Sequence, residues 1–151
     1  MPISRFSAVL QRLASEGVPL RAVRLIVESL IEYGQHEREP EALADYARIA
    51  LKSQIYHQYS EADGLHAWLL SPHTENVLRD ALRQTQPGVF FSLDNESSAA
   101  LISLLKQAFA VRPKSKSVLL VAQDLRSPLR TLLLEEFNHV PVLSFAELSA
   151  S

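Results

Sequence analysis

The stretch Val118-Leu-Leu-Val-Ala-Gln-Asp-Leu-Arg-Ser-Pro-Leu-Arg-Thr-Leu-Leu-Leu-Glu-Glu-Phe-Asn-His-Val-Pro-Val-Leu-Ser-Phe145 decides the fold. Val118 to Ala122 is an unbroken apolar run without polar alternation, the pattern of a strand covered on both faces of a parallel sheet. Ser127 and Pro128 form a helix-start pair, and Leu129, Leu132, Leu133 and Phe137 recur at helical spacing, which predicts a helix ending near Asn138. Pro141, Val142, Leu143 and Phe145 give a second short strand. A crossover of this length makes the two strands parallel with a right-handed connection.

Working back from this unit, Leu65 to Leu70 is a candidate strand containing Trp68. Ser71 and Pro72 open a helix with Val77, Leu78, Ala81 and Leu82 on one face. Pro87 and Gly88 mark a turn, and Val89 to Leu93 forms a short strand. Asp94 caps a long helix whose core face is Leu101, Leu104, Leu105, Ala108 and Phe109. Alternating strands and helices from Leu65 onward predict a small, mostly parallel α/β sandwich of three to four strands.

The first part has a different texture. Ile3, Phe6, Val9, Leu10 and Leu13 share one helix face, with Gly17 as the stop. Pro19 opens a second helix, and its apolar arc of Leu20, Val23, Ile26, Val27, Leu30 and Ile31 is wide enough to be flanked on two sides. Arg24 and Glu28 stand at ion-pair spacing on its wet face, and Gly34 ends it. Pro40 starts a third helix, with Glu37, Glu39 and Glu41 at its positive end. Leu43, Ala47, Leu51 and Ile55 form its stripe, and Ala44, Ala47 and Ala50 permit close approach. The fold class is therefore mixed α/β, with a three-helix module at 1–64 followed by the α/β module at 65–151.

Bulk properties exclude several classes. Of 151 residues, 47% are apolar and 21% charged, with a formal charge of −2, so nothing draws the chain toward nucleic acid or anionic lipid. Zero cysteines exclude disulfides and thiolate chemistry and fit a reducing, cytoplasmic setting. No apolar run approaches a membrane helix, and the amino terminus lacks the charged and apolar regions expected of a signal peptide. Met1 and Pro2, followed at once by a periodic helix, read as a cut from the middle of a longer protein, with an independent gene as the other reading.

Sites for chemistry are sparse. Ligands in such sheets gather beyond the strand carboxyl ends, which singles out Gln123, Asp124 and Ser144. The four glycines, at 17, 34, 64 and 88, leave no phosphate-cradling loop there. Asp124 is placed like a phospho-accepting carboxylate but lacks an acidic pair to hold a metal, so helix capping or loop solvation is its plainer role. His36, His57, His66, His73 and His139 have no ligand spacing. Glu135 and Glu136 are adjacent on a helix and point apart. No metal, cofactor or catalytic set is expected. Trp68 with Tyr46, Tyr56 and Tyr59 either seals a junction between modules or forms a binding surface. Arg112, Lys114 and Lys116 are a candidate surface for an acidic partner, against simple solvation of a helix end.

Three stretches together resemble one family: Val18-Pro-Leu-Arg-Ala-Val-Arg-Leu-Ile-Val-Glu-Ser-Leu; Arg38-Glu-Pro-Glu-Ala-Leu-Ala-Asp-Tyr-Ala-Arg-Ile-Ala-Leu-Lys; and Val118-Leu-Leu-Val-Ala with Pro141-Val-Leu-Ser-Phe-Ala-Glu-Leu, with Leu82-Arg-Gln-Thr between. The chain is similar throughout to the C-terminal cytoplasmic part of the inner-membrane export-gate protein of bacterial type III secretion, its virulence branch above all. The resemblance implies the last two of four cytoplasmic subdomains and a location at the cytoplasmic face of the inner membrane. It also implies a non-enzymatic role in a nonameric ring that docks export substrates, chaperones and other apparatus proteins. A ring needs two different surfaces meeting head to tail. Arg21, Arg24, Glu28, Glu37, Glu41 and Asp45 are the candidate subunit interface, and the isolated chain is expected to be monomeric or weakly associating. The competing reading is a small-molecule or phospho-receiver-like signalling domain using Asp124.

Overall fold

The computed structural model describes residues 3–62, 64–84, 89–110, 117–134, 136–137 and 140–148. The chain divides into a helical unit, Met1–Gln58 with Ala146–Ser151, and an α/β unit, Tyr59–Phe145. The sequence expectation drew one division at 1–64 and 65–151. By its contacts, the segment after the last strand groups with the helices.

In the helical unit, α1 (Ile3–Ser15) buries Val9 and Leu13 and stops at Gly17, whose φ of 74° suits glycine. The second helix, α2 (Val23–Tyr33), begins four residues after Pro19, so Pro19, Leu20 and Arg21 lie in the preceding loop. Its wide apolar arc is covered only in part: Ile26 and Leu30 are buried, whereas Val23 and Ile31 are exposed. The third helix, α3 (Pro40–Ala50), packs along both α1 and α2 and buries Leu43, Ala44 and Ala47 completely. Ala50 is exposed and takes no part in that approach. The Leu43-to-Ile55 stripe is not one helix. Leu51 leaves helical geometry at φ −95° and ψ 16°, with its N–H shared between the Ala47 and Arg48 carbonyls at 3.0 and 3.1 Å, and a separate α4 (Lys52–Tyr59) follows, so the expected three helices are four.

In the α/β unit, β1 (Ala67–Leu69), β4 (Val118–Val121) and β5 (Val142–Ser144) form a parallel sheet in the order β1-β4-β5, with Trp68 opposite Leu119 and Leu120 opposite Leu143. All four residues of β4 are buried, as a strand covered on both faces requires. The helix α5 (Pro72–Asp80) is capped by Ser71, which accepts the Thr74 N–H at 3.1 Å. Leu82, expected on that helix, instead opens β2 (Leu82–Gln84), antiparallel to β3 (Val89–Phe91) in a separate hairpin. Asp94 caps α6 (Asn95–Ala110) through the Ser97 N–H at 2.6 Å, and this bond holds the carboxyl below its usual range. Leu101, Leu105 and Phe109 face the core, while Leu104 is half exposed.

The crossover helix α7 runs Gln123–Leu133, starting earlier and ending earlier than the Ser127–Pro128 pair predicts. Ser127 is buried within the helix instead of standing at its start, and Pro128 lies inside it as well. A proline there forfeits the bond to the Asp124 carbonyl. The i, i+4, i+8 row Leu125, Leu129 and Leu133, at 1% exposure or less, outweighs that loss. These leucines join Leu78, Leu101, Leu105, Leu119 and Val121 in one core. Trp68 packs on Phe109 at 4.6 Å between ring centroids, and Phe109 meets Phe137 edge-on at 5.0 Å. Among the described residues no helix is long and apolar enough to cross a membrane.

Candidate assembly and docking surfaces

The carboxyl ends of β4 and β5, where a ligand of a parallel sheet is sought, are tied to neighbouring side chains. Ser144 donates to Gln123 Oε1, and the Glu75 carboxylate accepts the Ala122 N–H at 3.2 Å. Asp124 receives Arg79 in a fork, Nε to Oδ2 at 2.8 Å and Nη2 to Oδ1 at 3.2 Å. The Arg79 hydrogen bonds hold the Asp124 carboxyl below its ordinary range. A phospho-accepting carboxylate needs a metal beside it and a free oxygen. Among the described residues no group of three or more acidic or histidine ligands is gathered, and both Asp124 oxygens are engaged. The geometry makes Asp124 a fastener between α5 and α7.

This assignment has a pH consequence. A folded-state pKa below the unfolded value contributes stability above the unfolded pKa, and that stability is lost as pH falls through the folded pKa. Asp124→Asn should therefore melt below the wild type at neutral pH, with the gap closing as acid protonates Asp124. Thermal melts from pH 7 to pH 3 read this directly; a constant gap would contradict the assignment.

The six candidate interface residues are spread over the α2 region and the start of α3. Arg21 is exposed in the loop before α2. Arg24 and Glu28 form the expected i, i+4 pair at 2.9 Å, with side chains 91% and 57% exposed, so each keeps surface for a partner. Glu37 has a local task, its carboxylate accepting the Arg38 and Glu39 N–H groups at 3.0 and 3.1 Å ahead of α3. Glu41 and Asp45 are half-buried on α3. Arg112, Lys114, Lys116 and His139 lie outside the described residues. Of the aromatic group, Tyr46 stacks on Tyr33 at 4.1 Å within the helical unit, and Tyr56 is exposed.

Sequence reading missed a buried ion pair in the helical unit. Arg48 on α3 and Glu147 in the 3₁₀ turn Phe145–Glu147 form a buried fork, Nε to Oε2 at 2.8 Å and Nη2 to Oε1 at 3.0 Å, with side chains 3% and 0% exposed. Glu16 extends the network, 3.9 Å from Arg48 and 3.0 Å from Arg12. The available signal was an arginine four residues past buried Ala44 and a lone acid in an apolar carboxyl segment. Ninety-nine residues separate the partners.

The chain matches the FHIPEP family over residues 1–151. It is 66% identical over 149 residues to the hypersensitivity response secretion protein HrpI of Pseudomonas syringae pv. syringae, covering 99% of this chain and 21% of HrpI. The nonameric EPEC SctV-C superposes with a TM-score of 0.88 at 35% identity, covering 99% of this chain and 45% of that one. The CdsV protein of Chlamydia pneumoniae, solved in complex with CdsO, superposes with a TM-score of 0.86 at 29% identity over 99% of this chain and 45% of its own. The chain thus spans about a fifth of the length of the curated relatives it matches.

Proposed function

The chain belongs to the FHIPEP family, whose members are export proteins of type III secretion, and from that premise we propose a non-enzymatic role as a ring-forming and docking part of the export gate. In this reading it sits at the cytoplasmic face of the inner membrane, meets further copies of itself, and offers surfaces to apparatus proteins, export substrates or their chaperones. The observation that carries the reading is the likeness, across nearly the whole chain, to a domain solved as a nonamer. The strand ends are consistent with this reading, because Asp124 is engaged by Arg79 and no group of metal ligands stands beside it among the described residues.

A cyclic ring is built from one heterologous contact repeated, so each copy contributes two different patches. We assign one patch to Arg21, Arg24, Glu28, Glu37, Glu41 and Asp45. Rim charges act mainly on encounter and register, and like charges facing each other are strongly unfavourable. Reversing all six in HrpI carrying this chain in place of its matching residues should abolish rings in electron micrographs and stop secretion. Intact rings and normal secretion would reject the assignment. The chain by itself should remain monomeric or weakly associating in light scattering; a stable nonamer would contradict that.

A further inference from the structure

The apolar arc of α2 is wider than its neighbours cover. Val23 is 56% exposed and Ile31 64%, although both continue the face that buries Ile26 and Leu30. A cleft of about 720 Å³ lies between α1 and α2. Its apolar lining includes Ile3 and Phe6 from α1 and Val27 and Ile31 from α2. The charged residues lining it are both cations, Arg5 and Arg38. Neither has an acidic partner among the described residues. Arg5 stands in the first turn of α1, which holds no acidic residue, so the helix's own positive pole adds to the cationic end of the cleft.

We propose that this cleft docks an acidic amphipathic helix of another protein, seating aliphatic side chains on Phe6, Val27 and Ile31 and presenting carboxylates to Arg5 and Arg38. Apolar anchors at three- and four-residue spacing are how an amphipathic helix fills a groove. Carboxylates are the groups that accept the planar fork of arginine. An uncharged apolar ligand leaves both guanidinium groups without a partner at the cleft, a desolvation cost with no return. A nucleic acid fits poorly, because it calls for many cations and no apolar floor. The proposal rests on the docking part of the function above and is independent of ring formation.

The test uses the whole chain and three labelled synthetic helical peptides of about fourteen residues. The first carries leucines three and four residues apart with flanking glutamates, the second replaces glutamate by lysine, and the third replaces leucine by serine. By fluorescence anisotropy the acidic peptide should bind at least tenfold tighter than either control and weaken as salt rises. The doubly reversed variant R5E/R38E should invert the preference between acidic and basic peptides. Ile31→Ser should weaken binding about tenfold while leaving the unfolding midpoint unchanged, since Ile31 is already exposed. Acidic and basic peptides binding alike, or R5E/R38E keeping full affinity for the acidic one, would overturn the proposal. So would a concentration-dependent dimer that R5E/R38E dissolves and the peptide does not compete with, which would make a second copy the occupant. Ring formation, scored separately, distinguishes this failure from failure of the assembly reading.

Discussion

Glu147→Ala is expected to destabilise the helical unit by about 3–5 kcal/mol, the cost of breaking a buried ion pair from one side. The carboxylate removed is fully buried and forked to Arg48, which is itself 2% exposed. Without it, the guanidinium stays in the interior deprived of the two charge-assisted hydrogen bonds of the fork. Domains of this kind are stable by about 5–15 kcal/mol, so the variant should lose much of its margin. Urea titration followed by far-UV circular dichroism measures it. The mechanism is separable from simple loss of packing: Arg48→Met combined with Glu147→Leu leaves no orphaned charge and should cost less than either Arg48→Ala or Glu147→Ala alone. A double variant as unstable as the sum of the two single alanine variants would show that the loss is not that of a stranded charge.

The second large effect belongs to the other unit. Leu119 is fully buried in β4, between Trp68 on β1 and Val142 on β5, and it joins the core with Leu125 and Leu129. Leu119→Ala removes that volume at the centre of the sheet, where both flanking strands hold the backbone in place and limit collapse. The expected cost is about 2–5 kcal/mol. Trp68 is the sole tryptophan and packs against this core, so its fluorescence reports the α/β unit. The unfolding midpoint by tryptophan fluorescence should fall for Leu119→Ala. For Glu147→Ala the loss should appear first in circular dichroism. A Leu119→Ala midpoint equal to wild type would mean that β4 is not the centre of the core.

Much of this architecture is written locally. Val118 to Val121 carries no polar residue, and a strand so composed has no stable place except the middle of a covered sheet. The Asp94 cap and the Arg24–Glu28 pair were legible because each is decided within four residues. The start of α7 was not, because Ser127–Pro128 has the chemistry of a helix start while burial of Leu125 and Leu129 fixes a helix that begins five residues sooner. The break at Leu51 left no mark, since the apolar stripe keeps its period across it. The hairpin of β2 and β3 was hidden by Leu82, which fits a helix face as well as a strand.

The candidate surfaces follow the same rule. Single charges such as Arg24 and Glu28 could be placed on a wet helix face from periodicity alone. The Arg48–Glu147 fork could not be found that way, because its partners come from opposite ends of the chain. The cleft between α1 and α2 was foreshadowed only as an excess: an apolar arc on α2 broader than one neighbour needs. The structure shows that the excess is left open, with Arg5 and Arg38 among its lining residues.

The most direct test of the export-gate reading is replacement of the matching residues of HrpI from Pseudomonas syringae by this chain, which is 66% identical to them. Protein secretion by cells carrying the chimera as their only HrpI is the quantity to measure. Secretion near the wild-type level is the expected result, with loss when the six interface charges are reversed. A chimera that accumulates normally, folds, and yet supports no secretion would contradict the reading.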